Sequence, residues 1–167
     1  MKSKLKQLLV FVVVIGTVAC GQQVNNMSEI TTKLDVDMNM SDEDQQSFFD
    51  TYLKLKDALV NSETEVAQDN AITLKLLSNS SELLLSVLEK FTQAKNIEEQ
   101  RNVFYEISEI VYVILKQNKQ MKGIAYVQYC SMARNNNGAF WLSKEKEIMN
   151  PYFGDQMLHC GSVKEEI

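Results

Sequence analysis

The chain has a single proline, Pro151. Upstream of it no pyrrolidine ring removes a backbone donor or forces a kink, so apolar repeats there are free to run as helix. The repeats have helical spacing. Ser41 followed by Asp42, Glu43 and Asp44 reads as a helix start, a capping hydroxyl with acids where the helix dipole favours them. Phe48, Phe49, Tyr52, Leu53, Leu55, Leu59 and Val60 then recur on one face as far as Asn61. Ser62 to Glu65 fits a capping box and predicts a second helix through Val66, Ala67, Ala71, Leu74 and Leu77. Asn79, Ser80 and Ser81 interrupt it, and Leu83, Leu84, Leu85, Val87, Leu88 and Phe91 predict a third. Asn96 to Glu99 is another box-like start. After it Val103, Phe104, Ile107, Ile110, Val111, Ile114 and Leu115 form a stripe that runs to about Lys119. Helices joined by such short turns pack as antiparallel neighbours. The expected fold is all-α: an antiparallel up-down four-helix bundle over 41–167, with an irregular C-terminal segment, including a short strand, packed on it. A domain of that length can bury a proper core. The many acids read as solvated helix faces. No paired carboxylates, Ser/His/Asp set or glycine-rich phosphate loop stands out, so an enzyme is not expected.

The first residues predict where the chain works. MKSKLKQLLVFVVVIGTVACG places Lys2, Lys4 and Lys6 before an apolar run from Leu8 to Ile15, then small residues up to Ala19, Cys20 and Gly21. That order is a secretory signal. The run is too short for a spanning helix, which needs about 20 apolar residues. Thr17-Val18-Ala19-Cys20 resembles the bacterial lipobox, in which the cysteine is lipidated and becomes the new first residue; Thr17 stands where leucine is usual. Residues 1–19 are therefore read as a lipoprotein signal peptide and Cys20 as the lipidation site. Residues 20–40, rich in Asn, Gln, Ser, Thr and Asp without a sustained period, are read as a lipidated flexible tether. Met38 and Met40 within it read as chance linker residues rather than soft ligands. Each buried acyl methylene contributes about 0.8 kcal/mol, so the expected place is the bacterial cell envelope, lipid-anchored at the periplasmic face or the cell surface. The chain carries 22 acidic side chains against 17 basic ones, three of which leave with the signal, and no nucleic acid partner is expected.

Beyond Lys119 the pattern changes. Gly123 to Tyr129 alternates and is β-branched and aromatic, which predicts a short strand. Asn135, Asn136, Asn137 and Gly138 read as a turn, and Ser143 to Glu147 as a helical turn. With Cys20 taken by lipid, Cys130 and Cys160 remain, and outside the cytosol a disulfide is the default for such a pair. It would close a loop of about 30 residues, a stabilisation of roughly 3–4 kcal/mol in the chain-entropy view.

The tail YVQYCSMARNNNGAFWLSKEKEIMNPYFGDQMLHCG resembles an uncharacterised bacterial family, a domain of unknown function of small envelope lipoproteins that also occurs at the C-terminus of heavy-metal (copper and silver) efflux adaptor subunits, or membrane fusion proteins. The family pattern is carried by Cys130, Met132, Ala133, Gly138, Ala139, Trp141, Leu142, Ser143, Asn150 to Gly154, Met157, Cys160 and Gly161. Tyr52 to Leu59 and Gln100 to Phe104 resemble its helical part, so the likeness covers about 45–165. Ser131 replaces the family's proline between Cys130 and Met132, and His159 falls at a variable position. The resemblance implies a setting near heavy-metal handling, with efflux components as partners, and no mechanism.

The residues permit three states. Thiolate and thioether are soft ligands that select Cu(I) or Ag(I). Cys130 and Met132, two apart on an extended segment, and Met157 and Cys160, three apart on a helical turn, would make a Cys2Met2 set, which His159 joins if the turn is irregular. Zinc is poorer, because methionine seldom serves it. The second state is a structural disulfide with both methionines as core filler. The third is a free reactive thiol pair. Two functions follow: a membrane-anchored protein binding copper or silver through Cys130, Met132, Met157, His159 and Cys160, or a non-catalytic adaptor whose Cys130–Cys160 disulfide holds a surface for a protein partner, with the aromatics around Trp141, Tyr152 and Phe153 as candidate contacts although core packing is the expected role of most of them.

Overall fold

A computed structural model describes residue 36 and residues 40–78, 81–118 and 125–167. The readings made on the signal peptide, on Cys20, on Met38 and on the start of the expected strand at Gly123 lie outside the described residues. Val36 and Met40, which fall in the expected tether, are described and pack against the core.

Four long helices come first: α1 Asp42–Val60, α2 Thr64–Leu77, α3 Glu82–Thr92 and α4 Ile97–Gln117. α1 and α4 begin at their predicted caps, and α3 begins at Ser81, read from sequence only as part of a break. Ser41 Oγ accepts from the Asp44 amide, Ser81 Oγ from the Leu84 amide and Asn96 Oδ1 from the Glu99 amide. The Glu99 carboxylate turns back to the Lys95 amide and to Asn96 Nδ2, closing the box expected there. At α2 the expected box is absent. Ser62 adopts φ 60, in the left-handed region, and its hydroxyl faces Arg101 Nη2 at 3.0 Å. Glu63 takes the cap position without a side-chain bond. Along the chain each helix touches the next, and α1 also touches α4.

The stripes bury as read, with edges that do not. Phe48, Phe49, Tyr52, Leu55 and Leu59 of α1, Ala67, Ala71 and Leu74 of α2, Leu84, Val87, Leu88 and Phe91 of α3, and Phe104, Ile107, Ile110, Val111, Ile114 and Leu115 of α4 form one core. Val66 and Leu83, counted into the stripes, face solvent. No helix among the described residues is long and apolar enough to cross a membrane.

The all-α expectation fails in the tail. Three strands, β1 Tyr126–Cys130, β2 Ala139–Ser143 and β3 Ser162–Glu166, form an antiparallel sheet in the order β2-β1-β3. A single short strand would leave its backbone groups bare, and burial requires them to be paired. The two further strands supply the partners. The expected helical turn over 143–147 is also replaced: Ser143 ends β2, and the carbonyls of Glu145 and Glu147 accept from Nε2 of the fully buried Gln128.

β2 lies at a sheet edge yet is buried along its whole length. Edge strands present unpaired N–H and C=O groups, and two tyrosines meet them here. Tyr52 Oη accepts from the Leu142 amide at 3.1 Å and shares a hydrogen bond with Ser108 Oγ at 2.8 Å. Tyr152 donates to the Phe140 carbonyl at 2.8 Å. Sequence alternation shows the rings but not this use of their hydroxyls. Tyr52→Phe is therefore expected to destabilise by about 1–3 kcal/mol, the cost of an orphaned buried donor. A urea unfolding midpoint unchanged from the parent would refute that role.

Between β1 and β2 the chain reverses through Arg134, Asn135 and Asn136, all at positive φ, and then Gly138 at φ 76. Asparagine tolerates this region and arginine does so less well. The Arg134 guanidinium lies 3.9 Å from the centroid of the Tyr105 ring, a cation–π contact that offsets part of the strain. A side chain at Gly138 would run into the Tyr129 hydroxyl.

Candidate functional site

The two cysteines separated by 30 residues converge. Cys130 ends β1 and Cys160 ends the loop that leads into β3, and their sulfurs lie 2.6 Å apart. Both are free thiols, Cys130 buried and Cys160 half-buried. A bonded pair sits at about 2.04 Å, so a disulfide closes here with little movement. Burial, and then the neighbouring Cys130, push the Cys160 thiol up to about 11. It is protonated at neutral pH and is not an activated nucleophile of the low-pKa kind.

Cys160 is placed from behind by Asn150, which is fully buried. The Asn150 Nδ2 donates to the Cys160 carbonyl at 2.7 Å, its Oδ1 accepts from the Tyr152 amide at 2.8 Å, and its own amide donates to the Leu158 carbonyl at 2.8 Å. One side chain thus sets both ends of the loop from Asn150 to Cys160. Arg101 holds the same loop from the bundle. Its Nε donates to the Pro151 carbonyl at 2.9 Å and its Nη2 to the Leu59 carbonyl at 2.9 Å, while Nη1 pairs with Glu98 at 2.7 Å. Gly154, at φ 56, lies so near Arg101 Nη2 and the Val60 carbonyl that a Cβ would come within 2.8 Å of either.

Over the sulfurs lies a surface recess of about 250 Å³, lined by Tyr129, Cys130, Ser131, Cys160, Ser162 and Lys164 among others. The methionines stand apart from it. Met132 was read as sharing an extended segment with Cys130, but the strand ends at Cys130 and the chain turns, with Met132 at φ −88 and ψ −13 and 41 % exposed. Met157 follows the 3-10 turn Gly154–Gln156, is half-buried, and accepts at its carbonyl from the Cys160 amide at 3.0 Å. His159 is exposed and its Nδ1 meets the Ile148 carbonyl at 2.9 Å. Among the described residues no three His, Cys, Asp or Glu side chains are grouped as they would be to hold a metal ion. Trp141 and Tyr152, offered as partner contacts, are core residues, 0 % and 5 % exposed. Asn150 and Arg101 fall in the stretches that carry the family resemblance but had no role assigned to them, and Lys164 was not singled out from sequence. Arg101 gave a further signal, a charge three residues before Phe104 on the buried face of α4.

Residues 48–123 match the model of a family described as a protein of unknown function (DUF3347). The resemblance to an uncharacterised domain family holds over that span, which is the helical part; the match ends before the tail that carries the two thiols. No curated protein and no solved structure matches the chain.

Proposed function

We propose that the chain is a non-catalytic, lipid-anchored protein of the bacterial envelope, with its helices running alternately up and down, that takes up a soft monovalent metal, Cu(I) or Ag(I), at the Cys130–Cys160 pair. The observation that carries the reading is the convergence of two thiols from separate segments beneath a recess open to solvent. Two thiolates suit a soft monovalent ion, which accepts few ligands. Met132 and Met157, one in the turn after Cys130 and one in the turn before Cys160, are the thioethers at hand to add to them. His159 contributes only if its Nε2, left over by the Nδ1 contact, is brought round. Heavy-metal efflux components are the partners this reading implies, and Cys20 with its lipid is the membrane anchor.

The nearness of the sulfurs favours a second reading, a structural staple. An ion held at about 2.3 Å from each of two thiolates would part them to about 3.7 Å at a tetrahedral angle and to about 4.6 Å in a linear pair, whereas a disulfide needs almost no movement. In that state the protein is an adaptor presenting its surface to a protein partner.

The full-length chain, purified in detergent, reduced without oxygen and titrated with Cu(I), separates the two. Copper retained at one ion per chain and lost in the Cys130→Ser, Cys160→Ser variant is the result expected for metal uptake. No copper retained by a chain with both thiols counted free would leave the staple.

A further inference from the structure

We propose that the Cys130–Cys160 pair is a thiol–disulfide exchange site entered through Cys160, by which a disulfide-bearing partner in the envelope switches the soft-metal site off and a thiol-bearing one switches it on. The exchange step uses the thiol pair of the preceding reading without needing metal to be bound, and the switching of metal uptake rests on that reading. Three observations carry it. The sulfurs already touch, so both redox states fit one backbone. The pair is unequal in access, Cys130 being 1 % exposed at the inner end of β1 and Cys160 half-buried in the loop. The recess lined by both cysteines has room for a third sulfur, and Lys164 on its wall can attract an incoming or departing thiolate.

The steps balance. Cys160 gives up its proton to solvent and its thiolate attacks one sulfur of the partner disulfide, forming a mixed disulfide and releasing one partner thiolate; because the thiol is pushed up, the step is slow at neutral pH and quickens as pH rises. Cys130 sulfur then attacks Cys160 sulfur, which forms the Cys130–Cys160 bond and releases the second partner thiolate. Two electrons pass from the pair to the partner, and the two thiol protons end, by way of solvent, on the partner's thiols. Reduction is the reverse, with an external thiolate attacking the accessible Cys160 sulfur and Cys130 departing. The disulfide has no thiolate to offer a metal, so exchange and metal uptake exclude each other.

The test uses the full-length chain, reduced and metal-free. Limiting N-ethylmaleimide followed by peptide mapping is expected to place roughly tenfold more label on Cys160 than on Cys130. Glutathione disulfide is expected to convert the parent to a species two hydrogens lighter without attached glutathione. It is also expected to leave glutathione on Cys160 in Cys130→Ser, and little on Cys130 in Cys160→Ser. Equal labelling, faster labelling of Cys130, or a parent that keeps both thiols or retains glutathione would overturn the proposal. The labelling arm needs no variant to fold. Copper retention by the reduced parent, measured separately, reports on the metal reading alone.

Discussion

Arg101→Met is expected to lower the stability of the folded chain by about 3–5 kcal/mol, with a fall in melting temperature of roughly 10 °C or more. Methionine fills the space of the stem and adapts to irregular gaps, so packing loss is small. The loss comes from what the guanidinium leaves behind. The Leu59 carbonyl lies in the last turn of α1, where helix carbonyls have no partner inside the helix, and without the guanidinium it is left with a long 3.3 Å bond from the Ser62 amide. The Pro151 carbonyl lies in a buried loop that has no strand to pair with. Each buried acceptor without a partner costs about 1–3 kcal/mol. The Ser62 hydroxyl loses its guanidinium neighbour as well, and its left-handed backbone loses a reason to persist. Arg101→Lys keeps the charge but not the fork and should recover only part of the deficit. The measurement is urea unfolding of parent and variants. A methionine variant that unfolds at the parent's midpoint would show that water serves these carbonyls equally well.

That residue also shows how far the sequence could be read. Arg101 stands on the inner face of α4 beside Phe104, and a charge in an apolar stripe points to a buried partner without saying which. The helices themselves were legible because period and capping chemistry are local: Ser41 and Asn96 cap where their neighbours indicate. The box at Ser62 failed because a distant residue, Arg101, competes for its hydroxyl. Tertiary competition of that kind leaves no local trace. The sheet was half legible. β1 has strand alternation, but β3, SVKEE, is exposed and carries no apolar period. It is held by pairing with β1 and by Glu165, which accepts from Tyr112 Oη at 2.9 Å and pairs with Lys116 at 2.5 Å. For the site, the meeting of Cys130 and Cys160 was an inference from compartment and count, and the geometry agrees with it. Met132 was grouped with Cys130 by ligand softness and an extended segment, and the turn that begins after Cys130 decides its position instead.

Asn150→Asp tests the other side chain that sets the loop, and the expected result depends on pH. The substitution keeps shape and the acceptor for the Tyr152 amide, and removes the donor to the Cys160 carbonyl. As a carboxylate it sets a second oxygen against that carbonyl, in a site with no exposure. Burial and the facing oxygen raise its folded-state pKa above the ordinary value of about 3.9. An acid whose pKa is raised on folding binds more protons folded than unfolded, so stability falls as pH rises from the unfolded pKa toward the folded one. Protonated, the group regains a hydroxyl that donates to the Cys160 carbonyl. The deficit relative to the parent is therefore expected to be about 3 kcal/mol or more at pH 7 and to shrink to about 1 kcal/mol near pH 4. Unfolding of both chains at the two pH values measures it, the difference cancelling the titration of every other group. A deficit that does not change with pH would mean that the loop yields and lets water in. Cys160 would then have lost its tie to the side chain at 150, keeping its amide bond to the Met157 carbonyl, and the yield of the intramolecular disulfide in the variant should fall with it.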